Sequence, residues 1–374
     1  MNDDNYFAAK VGSARILVLI SDTDISELVL NIVASMVEAN LDVKVVVYDS
    51  GTPRILNDLV DLNVDCERVD RGKRNSYFSI ISTLANELDS KQYSTVYMSG
   101  QYATFVGVYI TYLKRIPKRV ITRHHSDSNF INRWKSLRLF RGYFFDISCN
   151  LLATQIVAVS SVVRNQMISH EFAKEKKVTT IENSVSERFR RIHRKYKNGE
   201  KLKIGVISRQ TKLKGIEYVA EAFSEYYKEN QNSELIIVGA NSDSSNEISK
   251  ILNHLPQEAY EFVTRVSDVL EFYSEIDIFI HVPITETAEA FGLVYLEALF
   301  SGVYCVFTRS GIISTDNELI DYCEIVKYKD SKSILTSIRN FASGKSQMRV
   351  IPNEIFQKYS TNSMKNKYKE IWLS

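Results

Sequence analysis

Residues 276–309, IDIFIHVPITETAEAFGLVYLEALFSGVYCVFTR, constrain the fold more than any other stretch, because they hold the whole pattern of one strand, helix and strand unit. Residues 276–282 are a short apolar run rich in β-branched side chains, as in a strand buried on both faces of a parallel sheet. Pro283 ends it. From Leu293 the apolar residues recur at helical spacing through Leu296, Leu299 and Phe300, Ser301-Gly302 supplies a helix stop, and residues 303–308 read as the next strand. Two such strands joined by a crossover helix commit the chain to an open α/β sheet. Ligands in these sheets bind beyond the carboxyl ends of the strands, beside helix N-termini whose free N–H groups attract phosphate. The loop at that end carries Thr285, Glu286 and Glu289, with Phe291-Gly292 where the helix begins.

The same alternation runs through the chain. Residues 16–20 predict a first buried strand, 25–37 a helix and 43–48 a second strand, a Rossmann-like opening. Ile80, Ile81, Leu84 and Leu88 mark a helix, residues 95–98 a strand, and 120–123 a strand ending in His124-His125. Residues 188–201, RFRRIHRKYKNGEK, are basic without apolar periodicity and read as a linker. The pattern then restarts. Residues 201–223 predict a strand, a cationic loop and a helix opening near Gly215, residues 235–238 a strand, 263–266 an edge and 269–273 a short helix. Phe356, Tyr359, Met364, Tyr368 and Trp372 give the final segment, 355–372, helical spacing. Alternation of this kind predicts doubly wound parallel sheets.

At 374 residues the chain holds two domains of ordinary size. Its 44% hydrophobic and 25% charged residues are those of a soluble globular protein, and a net charge of +2 gives no electrostatic case for nucleic-acid binding. Cys66, Cys149, Cys305 and Cys323 match no zinc or redox spacing, so free thiols in a reducing compartment are expected. The opening MNDDNYFAAK is acidic before any apolar run, unlike a secretory signal, and no stretch approaches the ~18 apolar residues of a membrane span. A cytoplasmic location is expected.

Glu289 and Glu297, separated by seven residues with Phe-Gly-Leu-Val between them, together with the strands on either side, resemble the E-x7-E signature of retaining glycosyltransferases of the family 4 type, the glycosyl transferases group 1. Those enzymes have the GT-B fold, two Rossmann-like domains facing a central cleft. The resemblance is motif-rich over residues 150–325 and topological before that. Gly205, Gly215, Gly239, Gly292, Gly302 and Gly311 fall at family positions, six of only 14 glycines. It implies an acceptor-binding domain over 1–190, a nucleotide-sugar-binding domain over 200–352, and a C-terminal helix, 353–374, crossing back to the first domain.

The resemblance also assigns residues. Arg209 and Lys214, in SRQTKLKG, resemble the cations that hold the donor diphosphate. Sugar transfer leaves negative charge on the departing phosphate, and fixed cations stabilise that charge most in the transition state. No metal ion or other cofactor is then expected. Glu297 resembles the carboxylate that binds the nucleotide ribose, Glu289 the one beside the donor sugar, and the backbone N–H groups of Phe291, Gly292 and Leu293 would meet phosphate. His124 in ITRHHSD resembles the family's strand-end histidine facing the donor sugar, with His125 as the competing assignment. Two departures stand out. The turn at 183–186 is Asn-Ser-Val-Ser where the family has Asn-Gly-Val-Asp, and the first loop, SDTDIS, lacks the glycine pair that allows close backbone approach. Asp22 and Asp24 in that loop form a D-x-D, which binds a divalent cation in a different class of transferase but here follows the first strand.

Residues 131–145, INRWKSLRLFRGYFF, place Trp134, Leu137, Phe140 and Phe144 near one helical face among Arg133, Lys135, Arg138 and Arg141, with no acid from 128 to 145. A helix of this kind either lies on an anionic membrane or packs on its own domain. The expected activity is transfer of a sugar from a nucleotide-diphospho-sugar donor, with retention, to a glycan or lipid-linked acceptor of cell-surface polysaccharide or glycolipid synthesis. A non-catalytic sugar-nucleotide-binding subunit and a nucleotide-sugar epimerase of the same fold are the alternatives.

Overall fold

The computed structural model describes residues 15–21, 26–49, 55–70, 76–125, 130, 133–191, 200–239, 247–347 and 349–374. The chain forms two compact units, Met1–Asn183 with Asn362–Ser374, and Ser184–Thr361.

The first unit is built on a parallel sheet of seven strands, β1 (Arg15–Ile20), β2 (Asp42–Asp49), β3 (Asp65–Asp70), β4 (Thr95–Ser99), β5 (Lys118–Arg123), β6 (Gln155–Ala158) and β7 (Val178–Thr180). Their spatial order is β3-β2-β1-β4-β5-β6-β7. Residues 16–20 of β1 are all buried, which is why an unbroken Ile-Leu-Val-Leu-Ile run sits at the centre. At the edge, β3 reads DCERVD and is largely exposed; charge there discourages pairing with a further strand. Its lack of an apolar run left it out of the sequence reading.

The second unit repeats the plan with six parallel strands, β8 (Leu202–Ile207), β9 (Ser233–Val238), β10 (Tyr260–Val263), β11 (Ile278–His281), β12 (Tyr304–Phe307) and β13 (Glu324–Ile325), ordered β10-β9-β8-β11-β12-β13. Ile278 and Ile280 join the core beneath the helix Ile216–Glu229, while Phe279 and His281 face the opposite side. The edge expected at 263–266 is β10, three residues earlier.

Three other expectations are corrected. The basic segment at 188–201 is not all linker: residues Glu187–Arg191 form a short 3-10 helix, and Phe189 is buried against the Tyr273 ring, centroids 6.1 Å apart. The C-terminal segment is two helices rather than one, Asn353–Lys358 and Thr361–Leu373. Between them the Tyr359 hydroxyl bonds the Asp316 carboxylate, Val185 N–H donates to Tyr359 O at 2.9 Å, and Lys358 pairs with Asp316 at 2.7 Å. Those contacts pin the break to the second unit, while the last helix packs in the first. There Trp372 Nε1 donates to the buried Ser35 Oγ at 2.9 Å, and its ring meets Tyr97 at 5.4 Å. A buried Trp of this kind typically contributes about 3–5 kcal/mol relative to Ala.

The third correction concerns residues 131–145. The helix runs Leu137–Leu152, because Ser136 caps it by accepting Leu139 N–H at 3.3 Å. Arg133 and Lys135 therefore lie before the helix, and only Arg138 and Arg141 lie on it. Its buried side is polar: Asp146 and Asn150 point inward with Cys149, while Leu137, Phe140 and Phe144 are exposed. Among the described residues, no helix is long and apolar enough to cross a membrane.

Candidate functional site

In a doubly wound sheet the crevice for a ligand opens where the strand order reverses, beyond the carboxyl ends of the two strands that flank the reversal. In the second unit those strands are β8 and β11. Arg209 and Lys214 follow β8; residues 283–292 follow β11. The two loops are tied together, since Ile284 N–H donates to Leu213 O at 3.0 Å.

The β11 loop is also held from the other side by the turn after β12. Thr308 Oγ1 donates to Pro283 O at 2.7 Å, Ser310 Oγ to Glu286 O at 3.0 Å, and Glu289 N–H to Ser310 Oγ at 3.2 Å. A long loop thus becomes a fixed platform. It ends at Gly292, whose φ of 83° would be strained in other residues and whose added Cβ would meet the Tyr295 ring at 2.5 Å. From there the helix Leu293–Ser301 starts with no side-chain cap. Its first N–H groups therefore remain available to an anion. Phe291 is buried against Tyr359, so its side chain belongs to the packing.

Glu289 is the electrostatic centre of the platform. Lys214 Nζ donates to its Oε1, and His281 Nε2 lies 2.7 Å from the same oxygen. Burial pushes the Glu289 carboxyl up, but the hydrogen bond and charge of His281 and the charge and hydrogen bond of Lys214 outweigh it and bring the group down to about 2. It is a carboxylate throughout the neutral range. Arg209 is exposed and has no ion-pair partner among the described residues.

Glu297 stands one turn into the helix, half-buried. Near it the Tyr273 hydroxyl donates to Val294 O at 3.3 Å and lies 3.5 Å from Glu297 Oε2. Burial, and then the Glu297 charge, raise Tyr273 well above its ordinary value, keeping it a neutral donor. Sequence reasoning missed His281 and Ser310. A signal for the first existed: a lone histidine closing the apolar strand IDIFIH immediately before the functional loop.

In the first unit the reversal lies between β1 and β4. Ser21 N–H donates to Ser99 O at 2.9 Å and Ser21 Oγ accepts Ala103 N–H at 3.0 Å. Close backbone approach here comes from Gly100, at φ 91°, where a Cβ would lie 2.1 Å from Ser21 O. Asp22 and Asp24 lie outside the described residues. His124, at the end of β5, sets Nε2 3.2 Å from Ser99 Oγ and so lies at the edge beside the reversal. His125 turns away, Nε2 3.5 Å from Asp146 Oδ1. It borders a buried cluster in which Arg123 bonds Asp146 at 2.7 Å and also the Glu171 carboxylate, which accepts from Asn150 Nδ2 at 3.2 Å. Burial raises the Glu171 carboxyl despite the Arg123 charge.

The chain matches two family models that adjoin, Glycosyltransferase Family 4 over residues 25–189 and Glycosyl transferases group 1 over 187–351. The capsular polysaccharide biosynthesis glycosyltransferase CapM of Staphylococcus aureus is 24% identical over 226 residues, 57% of this chain and 58% of that protein. The N-acetyl-α-D-glucosaminyl L-malate synthase of Bacillus anthracis is 29% identical over 164 residues, 42% of each. The chain thus matches about half the length of these curated relatives. Anabaena HepE, solved with UDP-glucose, superposes with a TM-score of 0.74 at 15% identity, covering 96% of this chain and 99% of that one, which speaks to the fold. Two sheets of Rossmann order, a Glu289–Glu297 platform at the second reversal and two adjoining family matches place this chain in the family 4 type of GT-B glycosyltransferases, the glycosyl transferases group 1.

Proposed function

We propose that the protein transfers a sugar, with retention, from a nucleotide-diphospho-sugar donor to a glycan or lipid-linked acceptor in cell-surface polysaccharide or glycolipid synthesis. The observation that carries this is the convergence at the second reversal of free Arg209, Lys214 and a fixed Glu289 carboxylate beside an uncapped helix N-terminus. That set suits a diphosphate attached to a sugar. Arg209 and Lys214, with the N–H groups of Phe291, Gly292 and Leu293, take the diphosphate and stabilise charge on the leaving oxygen. Glu297 binds the ribose. Glu289 orients sugar hydroxyls and faces the positive charge that develops at the anomeric carbon, and in the first unit His124 offers a hydrogen bond to a substrate hydroxyl. Among the described residues no side chain at the site is an obvious covalent nucleophile, which favours departure and attack on one face, the leaving oxygen accepting the acceptor's proton. Protein cations take the role a metal would otherwise have.

The relatives support this reading through their names: one is a capsular polysaccharide glycosyltransferase, and HepE was solved with UDP-glucose. The test is a panel of radiolabelled nucleotide sugars, UDP-glucose first, incubated with purified protein, lipid-linked and soluble acceptors, and EDTA. Transfer to an acceptor in the presence of chelator is expected. Epimerised donor without acceptor, or binding with no turnover, would replace it with the epimerase or the partner-subunit reading. Loss of transfer on chelation, restored by Mn²⁺, would overturn metal independence.

For the acceptor side we infer contact with an anionic membrane. The helix Leu137–Leu152 turns its polar face inward, leaving Trp134 77%, Leu137 72% and Phe144 60% exposed beside exposed Lys135, Arg138 and Arg141. Arg133 is part of the same surface but stacks on Phe130, 4.0 Å from its ring centre. Each cation near such a leaflet is worth on the order of 1 kcal/mol, enough together for reversible, salt-sensitive attachment. Co-sedimentation with vesicles containing anionic lipid at low salt is expected. Equal binding by a variant with Arg133, Lys135, Arg138 and Arg141 all changed to Glu would overturn it.

A further inference from the structure

Glu289 is held twice at one oxygen. Lys214 Nζ and His281 Nε2 both reach Oε1, whereas Oε2 takes no hydrogen bond from the described residues. One of the two holders has another assignment, since the function proposed above gives Lys214 to the donor diphosphate. A buried carboxylate stripped of its ammonium, with nothing else in reach, is an uncompensated charge. That cost would keep Lys214 where it is.

His281 is placed to remove the conflict. It is the last residue of β11 and 2% exposed. Its ring meets Tyr295 edge-on with centroids 4.9 Å apart and lies parallel to the Phe279 ring, 7° between planes, so it is fixed in position. Nδ1 is buried and has no hydrogen-bond partner among the described residues. The contact to Glu289 is therefore the ring's one polar task there. For packing alone, Leu would fill such a place without leaving a buried nitrogen unpaired.

We propose that His281 is a positioning residue: through Nε2 it keeps Glu289 Oε1 fixed while Lys214 moves from that oxygen to the donor diphosphate, leaving Oε2 for the donor sugar. Lys214 and Glu289 are then partners in the structure seen here and act on different parts of the donor during transfer. His281 acts only through Glu289 and touches neither the diphosphate nor the reacting carbon. This rests on the proposed function and adds a residue and a sequence of contacts to it.

The experiment compares wild type, His281→Leu and His281→Gln for kcat, donor KM, melting temperature and calorimetric binding of UDP, or of the nucleoside diphosphate that the donor panel selects. Gln keeps an N–H donor near the Nε2 position; Leu removes it and suits the apolar surroundings. Misplacing a reacting-site group by about 1 Å costs roughly 10²-fold, so His281→Leu should lose turnover on that scale. Its nucleoside diphosphate affinity should fall as well, because Lys214 then stays on Glu289, its melting temperature should stay near wild type, and His281→Gln should recover most of the turnover and the affinity. Wild-type turnover in His281→Leu, or a loss that follows a fallen melting temperature and is not recovered by Gln, overturns the assignment alone. A wild type that transfers no sugar from any donor overturns the function itself and takes this assignment with it.

Discussion

The two units share one strand order and differ in what they place where that order reverses. In the second unit the flanking loops carry charge: Arg209 is exposed, and Lys214 and Glu289 form a mostly covered pair at the strand ends. In the first unit the described residues at the corresponding place are hydroxyls and an imidazole, Ser21, Ser99 and His124, and the charged groups nearby, Arg123, Asp146 and Glu171, are buried. Topology decides where a crevice opens, because helix N-termini and strand ends converge there. Side chains at those ends decide what it takes. Fixed cations suit a diphosphate, and neutral donors and acceptors suit a partner bearing hydroxyls.

The contrast breaks most easily in the second unit. Arg209→Ala and Lys214→Ala should each reduce kcat by ~10²-fold or more, the scale of losing one stabiliser of transition-state charge, with the fold intact by circular dichroism. Near-normal turnover in both would remove the distinction between the crevices.

A smaller effect sharpens the first unit's side. His124→Ala should slow transfer by roughly tenfold, the equivalent of one hydrogen bond of about 1.4 kcal/mol, and His125→Ala should leave steady-state rates unchanged. The reverse ranking would assign the sugar-facing role to His125.

The smallest effect concerns stability in acid. Glu289 is held below its ordinary 4.5, at about 2, so its contribution to stability is complete above about pH 4.5 and disappears as pH falls through 2. Glu289→Gln should therefore melt lower than wild type at pH 7 and show a flatter decline in melting temperature between pH 4.5 and 2. Parallel curves would mean that Glu289 is solvated and that the charged platform of the second unit is weaker than its geometry indicates.

The central strands were legible because a strand buried on both faces is mostly an apolar run, as β1, β8, β9, β11 and β12 are. Two of the edge strands were not. β3 is written in charged residues and β13 has only two, so neither carries a local signal. Glu289, Glu297, Arg209 and Lys214 could be named in advance because the segments that resemble the family, EAFGLVYLE and SRQTKLKG, are local. Their partners could not be. Nothing in the sequence spacing says that Lys214 and Glu289, 75 residues apart, share a contact, or that His281 reaches the same oxygen.

The sequence by itself determined the alternation of strand and helix, the doubly wound class, the glycines at the loop ends and the residue types in the loops after β8 and β11, since each depends on neighbours within a few positions. The tertiary structure alone decided which face of the helix Leu137–Leu152 turns outward, where the C-terminal helix breaks, and which histidine contacts Ser99 beside the first reversal. Periodicity records which residues share a face but not what that face meets. For that helix the answer came from Arg123 at the end of the preceding strand, β5, whose buried charge is met by the Asp146 and Glu171 carboxylates while Leu137, Phe140 and Phe144 face solvent.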